Sequence, residues 1–201
     1  MSNEKRINSC EGDFILASAS ARRRDLLKRA GYCFDVVISK VDESLVDTKG
    51  LSAEQHAEKL ASAKARDVAE NYPGSLVVGA DTIAECDGII IGKPADAEHA
   101  EQIVRMLFSK PHQIITALAF VKINDNIDFV ETDITTVYPK IMNDSEIAEH
   151  IASNTWQGKA GAYAIQETGD EFVEKLDGSI TNVMGMPMEL FMRVYHELTA
   201  G

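Results

Sequence analysis

The chain has 201 residues, 45% of them hydrophobic and 26% charged, the balance of an ordinary soluble globular protein with one sizeable core. A net charge of −12 repels nucleic acid and anionic lipid, so neither is expected as a partner. Cys10, Cys33 and Cys86 form no CxxC and the histidines never fall at HxxxH spacing, which excludes a disulfide framework and a histidine-bound metal and fits a cytoplasmic protein.

Residues 1–12 are polar and read as a frayed N-terminus, followed by a single domain over 13–201. Phe14 to Ala17 reads as a buried strand. Ser20 is placed to cap a helix carrying Leu26 and Leu27 and ended by Gly31. Arg22, Arg23 and Arg24 stand in that helix's first turn, where the dipole disfavours cations, so the segment reads either as a solvated charge run or as a site that expects an anion. A weakly alternating strand is expected over Phe34 to Val41, then a helix from the capping box Ser52-Ala-Glu-Gln55 to about Glu70. Lys64 sits in its apolar stripe, where it either snorkels outward or meets a buried anion.

The run Leu76 to Val78 predicts a buried strand that stops at Gly79-Ala80 and presents Asp81 and Thr82 just past its end. An acid there is equally a turn or cap residue. Asp87-Gly88 predicts a two-residue hairpin whose return strand, Ile89 to Ile91, delivers Gly92-Lys93-Pro94 to the region of Asp81. Gly88 to Lys93 is one residue too short for a phosphate loop, and Pro94 replaces the hydroxyl residue.

Asp96 caps a helix with Ile103, Val104 and Leu107; His112 to Ile123 and Ile127 to Tyr138 form an antiparallel pair; Asp144-Ser145 caps a short helix. A small-residue loop, Gly158 to Gln166, precedes a strand-like Glu171 to Lys175, and Pro187 opens a last amphipathic helix. No apolar stretch spans a membrane, the longest being Ile114 to Val121. This alternation predicts an α/β fold, with helices flanking a mixed central sheet.

Four motifs stand in register: Ser18-x-Ser20-x-Arg22-Arg23, Gly79-Ala-Asp-Thr82, Gly92-Lys-Pro94 and Lys159-Ala-Gly-Ala-Tyr-x-Ile-Gln166. Together they resemble the Maf family of nucleoside triphosphate pyrophosphatases over nearly the whole chain. The resemblance implies two lobes around a cleft, similar to the inosine triphosphate pyrophosphatases, and a homodimer. It implies hydrolysis of a nucleoside triphosphate to the monophosphate and pyrophosphate with a divalent cation such as Mg²⁺ or Mn²⁺. Asp81 would be the catalytic carboxylate, with Glu43, Lys64 and Lys93 completing the group and Glu43 and Asp81 holding the metal. Ser18 and Arg23 would belong to the phosphate end. Arg22, Thr82 and Gln166 fall where substrate preference is set and are the residues of the branch acting on dTTP and UTP, whereas the 7-methyl-GTP branch carries bulkier or acidic ones. Ala164 and Glu167 depart from the glycines of that motif.

The residues support this chemistry independently. A triphosphate brings about four negative charges, which an acidic protein holds only against clustered cations such as Arg22, Arg23, Lys64 and Lys93. A haloacid-dehalogenase-type nucleophile at Asp81 would want a second acid where Ile83 stands, and no Nudix box is present. A nucleotide-binding regulator of cell division is the alternative from another class.

Overall fold

The computed structural model describes residues 12–163 and 172–200. In chain order the elements are β1 (Phe14–Leu16), α1 (Ala21–Arg29), β2 (Phe34–Val36), α2 (Ala53–Ala69), β3 (Val77–Cys86) and β4 (Ile89–Ile91). They continue with α3 (Ala97–Leu107), β5 (His112–Lys122), β6 (Ile127–Pro139), α4 (Asp144–Ala152), β7 (Val173–Asp177), α5 (Ile180–Val183) and α6 (Met188–Thr199). Among the described residues the strands form one mixed sheet in the order β2-β1-β3-β5-β6-β7, with β4 also on β3. This is the expected α/β architecture.

The apolar residues sort by strand parity. Val77 and Ile83 of β3 pack with Ala57, Ala61 and Ala65 of α2 on one face. Val78 and Ala80 pack on the other face with Leu27 of α1 and Phe191 and Val194 of α6. Farther along β3 and β5, Ala84 and Ile114 join a separate cluster with Ile103 and Leu107 of α3, Ile147 of α4 and Trp156. These clusters form two lobes on the long β3–β5 pair.

The central strand differs from the sequence expectation. It does not stop at Gly79-Ala80 but runs to Cys86, paired with β5 from Val77↔Val121 to Glu85↔Gln113, so Asp81 lies in mid-strand. The small residues mark close approach of a helix instead. A Cβ on Gly79 would lie 2.4 Å from the Ala61 carbonyl oxygen and 2.8 Å from the Ala65 nitrogen, both backbone of α2. Gly79→Ala is therefore expected to destabilise the fold by about 1–3 kcal/mol, since backbone cannot yield as a side chain does. Urea unfolding measures it, and a wild-type midpoint would mean that α2 is loosely seated.

Elsewhere the local signals hold with small shifts. Asp87 and Gly88 have φ of 52° and 79°, the pair of positive values that a type I′ hairpin needs. The Ser52–Gln55 capping box closes on both sides. The strand expected over Phe34 to Val41 ends at Val36, where β1, its partner in the sheet, also ends. Asn143, not Asp144-Ser145, caps α4, in a reciprocal box with Glu146. Pro187 occupies the position just before the last helix. The segment expected as a strand from Glu171 is β7, displaced to Val173–Asp177, and Glu171 lies outside the described residues. Helix α5 had no periodic signal in the sequence. Among the described residues no helix is long and apolar enough to cross a membrane.

Candidate active site

A strand has two edges, and β5 takes one of β3's for its whole useful length. The other edge is shared. β1 pairs with it in parallel at Val77 and Val78, and β4 pairs antiparallel at Ala84 to Cys86. Between them residues 79–83 face no strand among the described residues, and here a cleft of about 910 Å³ opens, lined by residues of both lobes.

Because successive side chains of a strand point to opposite faces, Asp81 and Thr82 enter this cleft from opposite sides of the sheet. On the α2 side Asp81 is 7% exposed, with Oδ1 2.6 Å from Lys64 Nζ. The same ammonium lies 2.7 Å from Glu43 Oε1. Lys64 thus meets buried anion instead of snorkelling, and it bridges two carboxylates that are far apart in sequence. Burial is the largest influence on Glu43 and pushes its pKa up, but the hydrogen bond and charge of Lys64, then the charges of Lys93 and Arg23, outweigh it and hold the group below the ordinary value. The pairing of Glu43 is therefore intact at neutral pH and is lost only as pH falls below the ordinary glutamate range, about 4.3.

On the opposite face the Arg23 guanidinium fills the interrupted ladder. Backbone N–H groups of Ile15 and Ala17 donate to the carbonyls of Leu76 and Val78, and Arg23 Nη1 donates to the next one in line, Ala80, at 2.9 Å. Arg23 also donates to the Gly185 carbonyl (2.7 Å), Ser18 Oγ (3.1 Å) and Thr82 Oγ1 (3.0 Å). Desolvation lowers its pKa, opposed by Asp81, yet a guanidinium stays charged in proteins. Ser18 Oγ accepts from both Arg23 and the Ser20 N–H, which leaves its single proton for a ligand.

The remaining expected residues divide. Arg22 and Lys93 line the cleft, exposed and without an ion pair among the described residues, whereas Arg24 does not line it. Gln166 lies outside the described residues. The segment leading to it is anchored: Gly161 N–H bonds to the Gly92 carbonyl (3.4 Å) and His150 Nε2 donates to the Ala162 carbonyl (2.8 Å). The Tyr163 hydroxyl donates to His112 Nε2 at 2.6 Å, while Nδ1–H of that histidine goes to the Leu107 carbonyl at 3.0 Å. Burial lowers the His112 pKa and keeps this neutral tautomer.

Several cleft residues escaped the sequence reading. Lys159 lines the cleft, its pKa lowered by desolvation and by the facing charge of Arg22. Its place at the head of the Lys159-to-Gln166 motif was the available signal. Thr116, Asn182 and Gly185, which bond to the residues of the cleft wall, carried none, because their roles depend on β5 and α5 meeting behind Thr82.

Residues 13–198 match the Maf family, described as Maf-like protein. The chain is 44% identical over 180 residues to a protein of Geotalea uraniireducens (strain Rf4), covering 89% of this chain and 91% of that one. It is 40% identical over 183 residues to a protein of Elusimicrobium minutum (strain Pei191), covering 91% and 97%. To a protein of Geobacter sp. (strain M21) it is 41% identical over 174 residues, covering 87% and 89%. All three relatives carry the name dTTP/UTP pyrophosphatase. On the family match and these relatives alike, the chain belongs to the Maf family.

Proposed function

We propose that this protein hydrolyses nucleoside triphosphates, dTTP and UTP first among them, to the monophosphate and pyrophosphate. The observation that carries the reading is the cleft at the interrupted edge of β3, with an acid–base cluster on one face and a fixed guanidinium on the other. Water attacks the α-phosphorus, and the bond from that phosphorus to the bridging oxygen of the pyrophosphate breaks. Asp81 takes the proton of the attacking water, and Lys64 orients it, Nζ to Oδ1 2.6 Å. Arg22, Lys93 and Lys159 neutralise the triphosphate chain and the departing pyrophosphate, a contribution largest where charge develops. Ser18 donates to a phosphate oxygen, and Arg23 holds the wall that the nucleotide meets.

A divalent cation fits these residues. Among the described residues no three acidic, cysteine or histidine side chains converge, but Mg²⁺ commonly takes one or two carboxylates plus substrate phosphates and water. Glu43 and Asp81 would hold it, and when bound it would offset phosphate charge.

For base selection, Ile114, Val183 and Met184 line the Thr82 side of the cleft and offer an apolar bed for a base. The amide of a glutamine such as Gln166 carries both donors and an acceptor, which matches the alternating carbonyl and N–H edge of thymine and uracil. A nucleotide panel of dTTP, UTP, CTP, dATP, GTP and 7-methyl-GTP, assayed for pyrophosphate with Mg²⁺ or Mn²⁺, tests the proposal. The expected result is pyrophosphate release fastest from dTTP and UTP. Preference for 7-methyl-GTP would reassign the branch, and binding without turnover would favour a regulator. Gln166→Glu should cut dTTP and UTP turnover by about tenfold, because two acceptors would then face each other, a loss on the order of 1–3 kcal/mol.

A further inference from the structure

Behind the cleft wall runs a chain of hydroxyls whose direction is fixed by counting protons. Thr116 is fully buried on β5, directly opposite Thr82 in the β3–β5 register. Its Oγ1 lies 3.0 Å from the Asn182 backbone carbonyl, which can only accept, so the one hydroxyl proton of Thr116 goes there. Toward Thr82 Oγ1, also 3.0 Å away, Thr116 can then only accept, and Thr82 must donate. With its proton turned inward, Thr82 meets Arg23 Nη2, 3.0 Å away, as an acceptor. The sequence of donations is Arg23 to Thr82 to Thr116 to the Asn182 carbonyl.

The far end of this chain is held by several bonds. Asn182 is fully buried, and its Nδ2 donates to the Ile114 carbonyl at 3.0 Å and to Thr135 Oγ1 at 2.9 Å. Its N–H bonds to Ser179 Oγ, which caps α5. A valine at position 116 would match the shape of threonine without a polar group to desolvate, so burying a hydroxyl there is costly unless its bonds are needed.

We infer that Thr116 is a positioning residue for the nucleotide cleft: it turns the Thr82 hydroxyl so that Arg23 has a directed acceptor and one guanidinium orientation. It touches no substrate. Its effect on Arg23 is assigned to the Thr82 route, as distinct from its bond to the Asn182 carbonyl beside Val183, Met184 and Gly185 of the cleft wall. The inference rests on the pyrophosphatase reading only for the identity of the ligand.

The test is a double-mutant cycle on kcat, KM and the dissociation constant of dTTP. Thr116→Val in the wild-type background should lower kcat/KM about tenfold, mostly through KM, the scale of one charge-assisted hydrogen bond lost or misdirected. In a Thr82→Val background the same change should cost less than about twofold, because the route to Arg23 is already cut. Thr116→Ser, which keeps the hydroxyl, should restore most of the loss. Equal factors in both backgrounds would show that Thr116 acts by packing or through the Asn182 carbonyl instead of Thr82, and no rescue by serine would show packing only; either would overturn the inference. Should Thr116→Val fail to fold, Thr116→Ala, which removes the hydroxyl and adds no volume, runs the same cycle. If the wild type released no pyrophosphate from any nucleotide, the functional reading would fall, whereas the cycle measured on dTTP binding would still support or reject the coupling.

Discussion

Asp81→Asn is expected to lose at least about 10²-fold in turnover while the protein stays folded. An amide has nearly the shape of a carboxylate but cannot take a proton from water, and general-base catalysis contributes typically about 10²–10⁴. The geometry says why the fold should survive. Lys64 would lose its bond to Asp81 at 2.6 Å but would keep Glu43 at 2.7 Å, so no buried ammonium is left without an anion. The side chain of Lys64 is 14% exposed, which leaves a path for water to complete its shell. Thermal unfolding alongside steady-state pyrophosphate release separates the two effects. Turnover within about tenfold of wild type would remove Asp81 from the role of base.

Arg23→Lys should be nearly as damaging, although it keeps the charge. The guanidinium donates at once to Ala80, Gly185, Ser18 and Thr82, which are spread around a planar fork. An ammonium has three donors on one atom and cannot span them. Two carbonyls of the cleft wall would lose their partner, each at about 1–3 kcal/mol where buried. We expect a clear fall in unfolding free energy by urea titration and a kcat/KM reduced by about 10–10²-fold. A lysine variant with wild-type kinetics would mean that the four bonds of Arg23 do not shape the site that the nucleotide meets. Arg24→Lys is the matched control, since Arg24 lies outside the cleft lining.

Much of the fold was legible because its signals are local. Ser52 with Gln55, Asp87 with Gly88, and the stripe Ala57, Leu60, Ala61, Ala65 and Val68 each specify a turn, a cap or a face within a few residues. The long antiparallel strands also declared themselves. What misled was Gly79-Ala80, where small side chains signal a nearby helix as readily as a strand's end, and only the position of α2 distinguishes them. Lys64 was ambiguous for the same reason: its partners lie 17 and 21 positions away, and sequence distance does not show which carboxylates a helix face will meet. Ser18, Arg23, Asp81 and Lys93 were identified through the register of short motifs, and the structure places all four at one cleft. The hydroxyl chain behind Thr82 was invisible, because threonine in a strand is commonplace and only pairing reveals whose proton goes where.

The stretch of β3 that has no strand partner among the described residues also bears on association between chains. An open strand edge is a template on which another chain can polymerise, the hazard that natural sheets blunt with charge or with short lengths. Here β1 and β4 close both ends of the opening, so an intruding strand would find only residues 79–83. Its first acceptor, the Ala80 carbonyl, is already bonded to a guanidinium that a foreign N–H would have to displace. The same arginine that shapes the cleft wall therefore also blocks strand addition at this internal opening, leaving β2 and β7 as the outer edges of the sheet among the described residues.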